Sequence, residues 1–326
     1  MTSMQTNGRA PIDIESQYDA QALMDQQARD LGTGQDVNPQ VYQQEIKVRT
    51  EQGTELAATL FSPQHGRIKG AVMIAPATGV KRRFYTAFAE HLVGHGFAVM
   101  TFDNSGIGDS LSVPLKKSKT RLQDWGQVDM PAILNELIQR FPDTPYHLIG
   151  HSAGGQLIGL MPNAHHLASI VNYASSSGSL RNMRGWFRLQ AHFFMGCYIP
   201  LNNAVFGLTR ADWVGMGEPL PRDVAQQWAT WCKGRGYVET GFERTIQTHH
   251  YDTLDCPGLW LSAVDDDIAC SANVDDMIRV YKQMPAQRID LNPSDYGFKE
   301  IGHMNFFRRQ YAVLWPLAVD WLQRHS

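Results

Sequence analysis

The sequence predicts an α/β protein with a mostly parallel central sheet, helices on both faces and a helical insertion. Three observations lead to this prediction. Short apolar runs alternate with amphipathic helical patterns from Gln43 to Tyr173. The alternation stops at Ser175 and gives way to an aromatic-rich stretch that ends near Cys256. It resumes at Gly258 and continues to the C-terminus. Strands separated by helices at this spacing are typical of βαβ units, whose strands pair in parallel.

Composition excludes several classes of protein. The chain has 326 residues and a formal net charge of −3, with 43% hydrophobic and 19% charged residues. A chain of this length buries a large core without disulfides or metal. Its 4 cysteines form no C-x-x-C pair, so we expect reduced thiols in a cytoplasmic protein. Basic clusters are short, which predicts no nucleic-acid partner. We expect no secretory signal and no membrane span, and composition does not predict the oligomeric state.

The chain divides into four segments. Residues 1–40 are rich in Gln, Asp, Gly and Asn and are predicted to be an N-terminal tail or arm, with a short amphipathic turn possible between Tyr18 and Leu31. Residues 41–176 are predicted as the first part of the α/β core, and residues 257–326 as the second. Between them, residues 177–256 are predicted to form a helical cap.

Apolar periodicity places the elements of the first part. Predicted strands are Glu45–Arg49, Leu56–Phe61, Lys69–Ala75, Phe97–Phe102, Tyr146–Ile149 and Ser169–Tyr173. Helical spacing relates Phe84, Phe88 and Leu92 in one helix, and Ile133, Leu134, Leu137 and Ile138 in the next. A further helix is predicted to contain Leu157–Met161.

The second part repeats the pattern. Strands are predicted at Gly258–Val264 and Arg288–Leu291, with a helix near Val274–Tyr281 between them. The last helix is predicted to run from Phe306 to Leu322, interrupted or kinked at Pro316.

A serine occupies the middle of the motif Gly150-His151-Ser152-Ala153-Gly154. The motif follows a short apolar strand and opens a helix, which is the setting that a nucleophile elbow requires. On such a strained turn, side chains in place of the flanking glycines would clash, and the serine Oγ is exposed at the carboxyl end of the sheet. The alternative is an ordinary glycine-rich turn. The motif predicts Ser152 as a nucleophile.

From about Gln43 to the C-terminus, the sequence resembles the α/β-hydrolase superfamily. The resemblance is carried by Ile74-Ala-Pro-Ala-Thr-Gly79, Gly150-His-Ser-Ala-Gly-Gly155 and His303-Met-Asn-Phe-Phe-Arg308, and by Leu220-Pro-Arg-Asp with Trp228 and Trp231-Cys232 in the cap. It is closest to a poorly characterised group of predicted serine hydrolases. The resemblance implies an α/β-hydrolase fold, no cofactor, and a catalytic triad in the chain order serine, acid, histidine.

The general base is expected after the last strand, because a serine hydroxyl needs a base to take its proton. Beyond Leu291 only His303 and His325 remain, and His325 adjoins the chain end. We therefore predict His303 as the base. The pair His249-His250 lacks a third ligand at a telling spacing, so no metal site is predicted there.

The acid is expected after the strand that ends at Val264, where Asp265, Asp266 and Asp267 are consecutive. The residues alone leave these three open. The superfamily pattern places the acid two residues before an aliphatic residue, here Ile268, and this resemblance favours Asp266 with Asp265 as the runner-up.

Acyl transfer needs two N–H donors for the oxyanion. The backbone of Ala153, just after the serine, is predicted as one donor. The second is expected from the loop Pro76-Ala77-Thr78-Gly79. This loop departs from the usual His-Gly opening, and proline has no N–H. Ala77 is the first choice for the second donor and Thr78 the second choice.

The predicted function is a serine hydrolase that cleaves a carboxylic ester or thioester through an acyl-enzyme. The partner is a small-molecule acyl substrate, and the aromatic cap suggests an apolar pocket, although most of its aromatics are expected to pack the cap onto the core. One alternative is an acyltransferase with the same triad. Another is a non-catalytic ligand-binding protein on a hydrolase scaffold.

Overall fold

Ten strands lie in the part of the chain that the computed structural model describes, residues 41–326. They are β1 (Val41–Arg49), β2 (Glu55–Pro63), β3 (Gly70–Ala75), β4 (Phe97–Phe102), β5 (Tyr146–His151), β6 (Leu167–Tyr173), β7 (Leu208–Thr209), β8 (Leu220–Pro221), β9 (Gly258–Ala263) and β10 (Ala286–Leu291). Eight form one sheet in the order β1-β2-β4-β3-β5-β6-β9-β10, while β7 and β8 form a separate antiparallel pair. β1 pairs antiparallel with β2, and β2 pairs antiparallel with β4. All pairings from β4 onward in this order are parallel.

Eight named helices accompany the strands in this part of the chain. They are α1 (Thr86–Gly94), α2 (Met130–Arg140), α3 (Ala153–Gln156), α4 (Gly185–Phe193), α5 (Ile199–Phe206), α6 (Arg222–Lys233), α7 (Ser271–Ile278) and α8 (Pro316–Arg324). A helical turn, Leu122–Asp124, and a π-helical segment, Trp125–Asp129, lead into α2. A second π-helical segment, Phe194–Tyr198, joins α4 to α5.

This architecture confirms the predicted fold class. Strands β3, β4 and β9 are buried along their whole length, as their uninterrupted apolar sequences predict for parallel strands covered on both faces. The predicted tail, residues 1–40, lies outside the described residues. Within residues 41–326, no helix has both the length and the apolar character needed to cross a bilayer.

Two predicted helices differ from the structure. The helix after Ser152 is a single turn, α3, followed by a 3₁₀ turn, Ile158–Leu160. At Gly159 the ring of Tyr251 lies where a Cβ would be, so the chain passes this point without a side chain. The predicted last helix is also divided. The chain makes 3₁₀ turns at Asn305–Phe307 and Arg309–Leu314, and α8 begins at Pro316 because proline is tolerated in the first turn.

Candidate active site

Ser152 lies at the sharp turn between β5 and α3. Its backbone has φ 49° and ψ −110°, and residues other than glycine rarely adopt such a positive φ. The Ser152 N–H donates to the carbonyl oxygen of Tyr173 on β6 at 2.9 Å, which fixes the turn against the neighbouring strand. The serine side chain is therefore presented at the carboxyl end of the sheet.

Three glycines allow this turn to pack. A Cβ on Gly150 would lie 2.5 Å from the Cα of Gly155. A Cβ on Gly154 would collide with the carbonyl oxygen of Ala75, and one on Gly155 would collide with polar side chains of β6 and the loop after it. The clash predicted for Gly150 and Gly154 thus has identified partners.

The structure brings the serine, the histidine and one aspartate into a continuous line. His303 Nε2 lies 3.0 Å from Ser152 Oγ, and His303 Nδ1 lies 2.7 Å from Asp266 Oδ2. The three residues come from the ends of β5 and β9 and from the loop before α8. These distances fit a proton path from hydroxyl to imidazole, with a carboxylate that orients the ring.

Asp266 is 4% exposed and has both carboxylate oxygens occupied. Oδ1 accepts from the N–H groups of Ile268 and Ala269, each at 2.8 Å, while Oδ2 faces His303. Burial alone would raise the pKa of Asp266. The charge of His303 and its hydrogen bond, together with the two N–H donors, outweigh burial and hold this pKa below its ordinary value. Asp266 therefore stays ionised beside the imidazole.

Asp265 has a different role in the same region. Its carboxylate accepts from the N–H groups of Ile301 at 2.9 Å and Gly302 at 3.1 Å, the two residues that precede His303. Asp265 thus holds the backbone of the histidine loop. Asp267 is exposed.

His151 and Tyr85 belong to the site, although sequence reasoning did not single them out. Tyr85 Oη accepts from the Ala77 N–H at 3.0 Å and lies 2.9 Å from His151 Nδ1. His151 Nε2 lies 2.9 Å from the carbonyl oxygen of His303. The only sequence signal was the position of His151 beside Ser152; nothing in the sequence placed Tyr85 against it.

One arrangement of protons satisfies this whole chain. The Ala77 N–H must donate to Tyr85, so the tyrosine hydroxyl donates to Nδ1 of His151, and Nε2–H then donates to the His303 carbonyl. This requires a neutral imidazole. Burial, followed by the charge of His303, lowers the pKa of His151 to about 3. Burial also raises the pKa of Tyr85, which keeps its hydroxyl protonated. The chain links the loop after β3 to the histidine loop.

The two N–H groups expected at the oxyanion differ in availability. The Ala153 N–H has no acceptor among residues 41–326. The Ala77 N–H, the first choice for the second donor, is instead bonded to Tyr85 Oη. The Thr78 N–H has no acceptor in the described part of the chain, and Thr78 is half-buried. This arrangement favours Thr78 over Ala77 as the available donor.

The chain between β6 and β9 touches this loop. Glu218 donates its N–H to the Gly79 carbonyl oxygen at 2.8 Å, and its carboxylate forms an ion pair with Lys81 at 2.7 Å. Among residues 41–326, no group of three or more His, Cys, Asp or Glu side chains is arranged to hold a metal ion.

Comparison with known proteins identifies the relatives of this chain. A model of the alpha/beta hydrolase family matches residues 65–313, more than half of the sequence. No curated protein matches the sequence.

Solved structures share the fold at low sequence identity. A thermophilic esterase from Thermogutta terrifontis, solved with malate bound, is 15% identical with a TM-score of 0.55, covering 87% of this chain and 100% of its own. A monoacylglycerol lipase from Paleococcus ferrophilus is 15% identical with a TM-score of 0.52, covering 83% and 100%. A hypothetical protein from Pseudomonas aeruginosa is 13% identical with a TM-score of 0.59, covering 88% and 94%. At such identities these likenesses establish the fold.

Proposed function

The chain belongs to the α/β-hydrolase family, and on that premise we propose that it is a serine hydrolase that cleaves a carboxylic ester or thioester through an acyl-enzyme. The observation that carries the proposal is the line of hydrogen bonds from Ser152 Oγ through His303 to Asp266, with distances of 3.0 and 2.7 Å. The substrate is a small acyl compound, and the mechanism needs no cofactor.

The first half-reaction forms the acyl-enzyme. Because the Asp266 carboxylate accepts from Nδ1–H of His303, the Nε2 lone pair is free to take the proton of the Ser152 hydroxyl. As this proton leaves, Oγ forms a bond to the acyl carbon and the carbonyl becomes a tetrahedral oxyanion. His303 then gives the proton to the leaving alcohol or thiol, whose bond to the acyl carbon breaks.

The second half-reaction returns the free enzyme. His303 takes a proton from water, and the resulting hydroxide attacks the acyl carbon of the Ser152 ester. The proton then passes from Nε2 to Ser152 Oγ as the carboxylic acid leaves. Asp266 remains ionised throughout and stabilises the imidazolium, consistent with its lowered pKa.

The oxyanion is assigned to two backbone donors. We place the Ala153 N–H on one side and the Thr78 N–H on the other, since both lack acceptors among residues 41–326. Ala77 supports this loop through Tyr85 and would become a donor only by releasing that hydroxyl. Residues 177–256 are assigned as a cap, because Glu218 in this segment binds the loop that carries Thr78.

Labelling with a fluorophosphonate tests the proposal. The folded wild-type protein is expected to be labelled stoichiometrically and to hydrolyse p-nitrophenyl esters. Ser152→Ala is expected to abolish both, while Ser294→Ala, at an exposed serine outside the site, keeps both. Failure of folded wild-type protein to react would overturn the proposal in favour of a non-catalytic binding protein.

Product analysis separates hydrolysis from acyl transfer by the same triad. With an alcohol or thiol acceptor present in addition to water, a hydrolase yields mainly the free acid. Predominant formation of the acylated acceptor would instead identify an acyltransferase.

A further inference from the structure

A long helix of the cap exposes an apolar stripe. α4, the π-helical segment Phe194–Tyr198 and α5 continue one another over residues 185–206. At the usual rise per residue this helix is roughly 30 Å long. Its most exposed large apolar side chains are Trp186 (72%), Leu189 (60%), Phe193 (62%), Leu201 (64%) and Val205 (63%). Large side chains exposed in such number on one element are unusual for a monomeric protein surface and mark an interaction site.

The π-helical segment keeps these residues on one face. From Leu189 onward the stripe continues through Phe193, Cys197, Leu201 and Val205, and each step is four residues. Four residues overshoot an α-helical turn of about 3.6 residues, so such a stripe would drift around a regular helix. A π-helical turn contains more residues than an α-helical turn, so the segment Phe194–Tyr198 corrects this drift near the middle of the helix. The exposed face is therefore continuous along both halves of the helix.

The opposite face of the helix is already used inside the cap. Met195 and Ile199 are buried, and Phe194 stacks on Tyr198 at 5.4 Å between ring centroids and meets Trp228 edge-on at 5.9 Å. The exposed stripe is thus additional apolar surface, beyond what attaches the helix to the rest of the molecule.

The charges on the helix itself have one sign, and the carboxylates that follow it, Asp212 and Asp223, are paired with Arg210 and Arg222. Between Ala174 and Ala211 the chain contains no Asp or Glu, whereas Arg181, Arg184 and Arg188 all lie exposed at the start of the helix. None of these three arginines forms an ion pair with another residue in the range 41–326. An apolar face bordered by unpaired cations is the pattern of helices that lie in the interface of an anionic membrane.

We propose that this face of the cap docks on the surface of an anionic phospholipid bilayer. Trp186, Leu189 and Phe193 enter the headgroup region, and the three arginines contact lipid phosphates. A second copy of the chain fits less well. A two-fold contact packs a face against itself, and this face would bring arginines together with no carboxylate of its own to neutralise them. The inference does not depend on the catalytic assignment, because no residue of the proposed triad takes part.

Flotation with vesicles tests the proposal, using the full chain carrying Ser152→Ala so that hydrolysis cannot alter the lipid. We expect binding to phosphatidylcholine vesicles in which a quarter of the lipid is phosphatidylglycerol. Binding should fall at least tenfold with pure phosphatidylcholine, and should weaken as salt rises. The wild-type protein should bind equally well, which keeps this result independent of the proposed activity.

Substitutions at exposed positions locate the contact. Leu189→Ser with Phe193→Ser, and separately Arg184→Glu with Arg188→Glu, should each reduce binding at least tenfold without loss of fold. Val113→Ser, at an exposed apolar residue outside the cap, should leave binding unchanged.

Three results would overturn the proposal. One is no binding to the anionic vesicles. Another is binding that neither pair of substitutions reduces. The third is a stable dimer in light scattering that dissociates with Leu189→Ser and Phe193→Ser while vesicle binding is absent, which would make this face a contact between copies of the chain.

Discussion

Asp265 and Asp266 are consecutive in the chain, yet their carboxylates hold different parts of the same loop. Asp266 Oδ2 lies 2.7 Å from the ring nitrogen Nδ1 of His303. Asp265 accepts from the N–H groups of Ile301 and Gly302, the backbone that leads into His303. One carboxylate therefore orients the imidazole, and its neighbour positions the loop that carries it.

This division predicts unequal effects of neutralising the aspartates. Asp266→Asn should lower kcat of ester hydrolysis by about 10⁴-fold, because an amide cannot stabilise the imidazolium or hold the reactive tautomer. Asp265→Asn keeps an oxygen acceptor for only one of the two backbone donors, because Ile301 and Gly302 bond to different carboxylate oxygens, and should lower kcat by about tenfold or less. Steady-state kinetics on a p-nitrophenyl ester measures both.

Asp267→Asn is the matched control, since Asp267 is exposed beside the other two, and its rate should equal that of wild type. A larger loss for Asp265→Asn than for Asp266→Asn would contradict the assignment of the acid.

Backbone strain at Ser152 predicts opposite changes of activity and stability. A side chain at φ 49° and ψ −110° costs about 1–3 kcal/mol, and glycine adopts positive φ without that cost. Ser152→Gly should therefore be more stable than Ser152→Ala by about 1 kcal/mol in urea unfolding, after the entropy cost of glycine. Both variants should be inactive. An alanine variant as stable as the glycine variant would show that the turn is unstrained.

The Tyr85 hydroxyl is predicted to position the two loops that carry Thr78 and His303. Tyr85→Phe leaves the Ala77 N–H and His151 Nδ1 without their partner, so the loops after β3 and before α8 lose their link. We expect kcat to fall by about ten- to a hundredfold with KM little changed, because a small displacement of catalytic groups acts on the chemical step.

Tyr173→Phe provides the control for Tyr85→Phe. Tyr173 is also fully buried, and its hydroxyl has no hydrogen-bond partner among the described residues, so its removal should leave kcat unchanged. Equal kinetic effects of the two substitutions would refute the positioning role.

Buried neutral histidines predict loss of stability in mild acid. Burial, followed by the charge of a neighbouring histidine, lowers the pKa of His91 and His147 to about 4 and that of His151 to about 3. In the unfolded chain these groups take up protons below a pH of about 6.5, whereas in the folded protein they remain neutral. The contribution of these histidines to stability is therefore full above pH 6.5 and falls as pH decreases toward 4, by at most about 1.4 kcal/mol per pH unit for each histidine.

Unfolding free energies in urea at pH 7 and pH 5 measure this slope. His151→Gln should be less stable at pH 7 but should lose less stability between the two values. Asp266 does not interfere, because its pKa is lowered and its contribution is lost only below the ordinary range of a carboxyl. Burial raises the pKa of Asp129 to about 7, so this carboxyl gains stability as pH falls, but it is one group acting against three histidines. An unchanged slope in His151→Gln would count against a neutral His151.

Much of the fold followed from local patterns. Phe97–Phe102 was predicted with the bounds that β4 has, and β3, β9 and β10 agree within a residue or two. Uninterrupted apolar runs have this predictive power because a strand covered on both faces admits few polar residues. The stretch from Phe306 to Leu322 was predicted less well. Its apolar spacing fits one helix, but backbone turns at Asn305–Phe307 and Arg309–Leu314 precede the helix that Pro316 opens.

The residues of the candidate site were likewise predicted only in part. Ser152 and His303 were singled out from motif and chain order, and the structure places them 3.0 Å apart. The choice between Asp265 and Asp266 depended on a family resemblance. Tyr85 was missed because its contact joins residues 66 positions apart in sequence, across two strands. The catalytic roles themselves stay predictions until the variants are measured.

By itself, the sequence determined the parallel core and the glycine-bordered turn at Ser152, because both depend on residues that are close together in the chain. Only the tertiary structure decided which carboxylate meets His303, that the Ala77 N–H is bonded to Tyr85, and that the aromatic helix of residues 185–206 turns one apolar face outward. Each of these depends on which side chains meet after strands and loops far apart in sequence have packed, and periodicity and local spacing carry no information about such contacts.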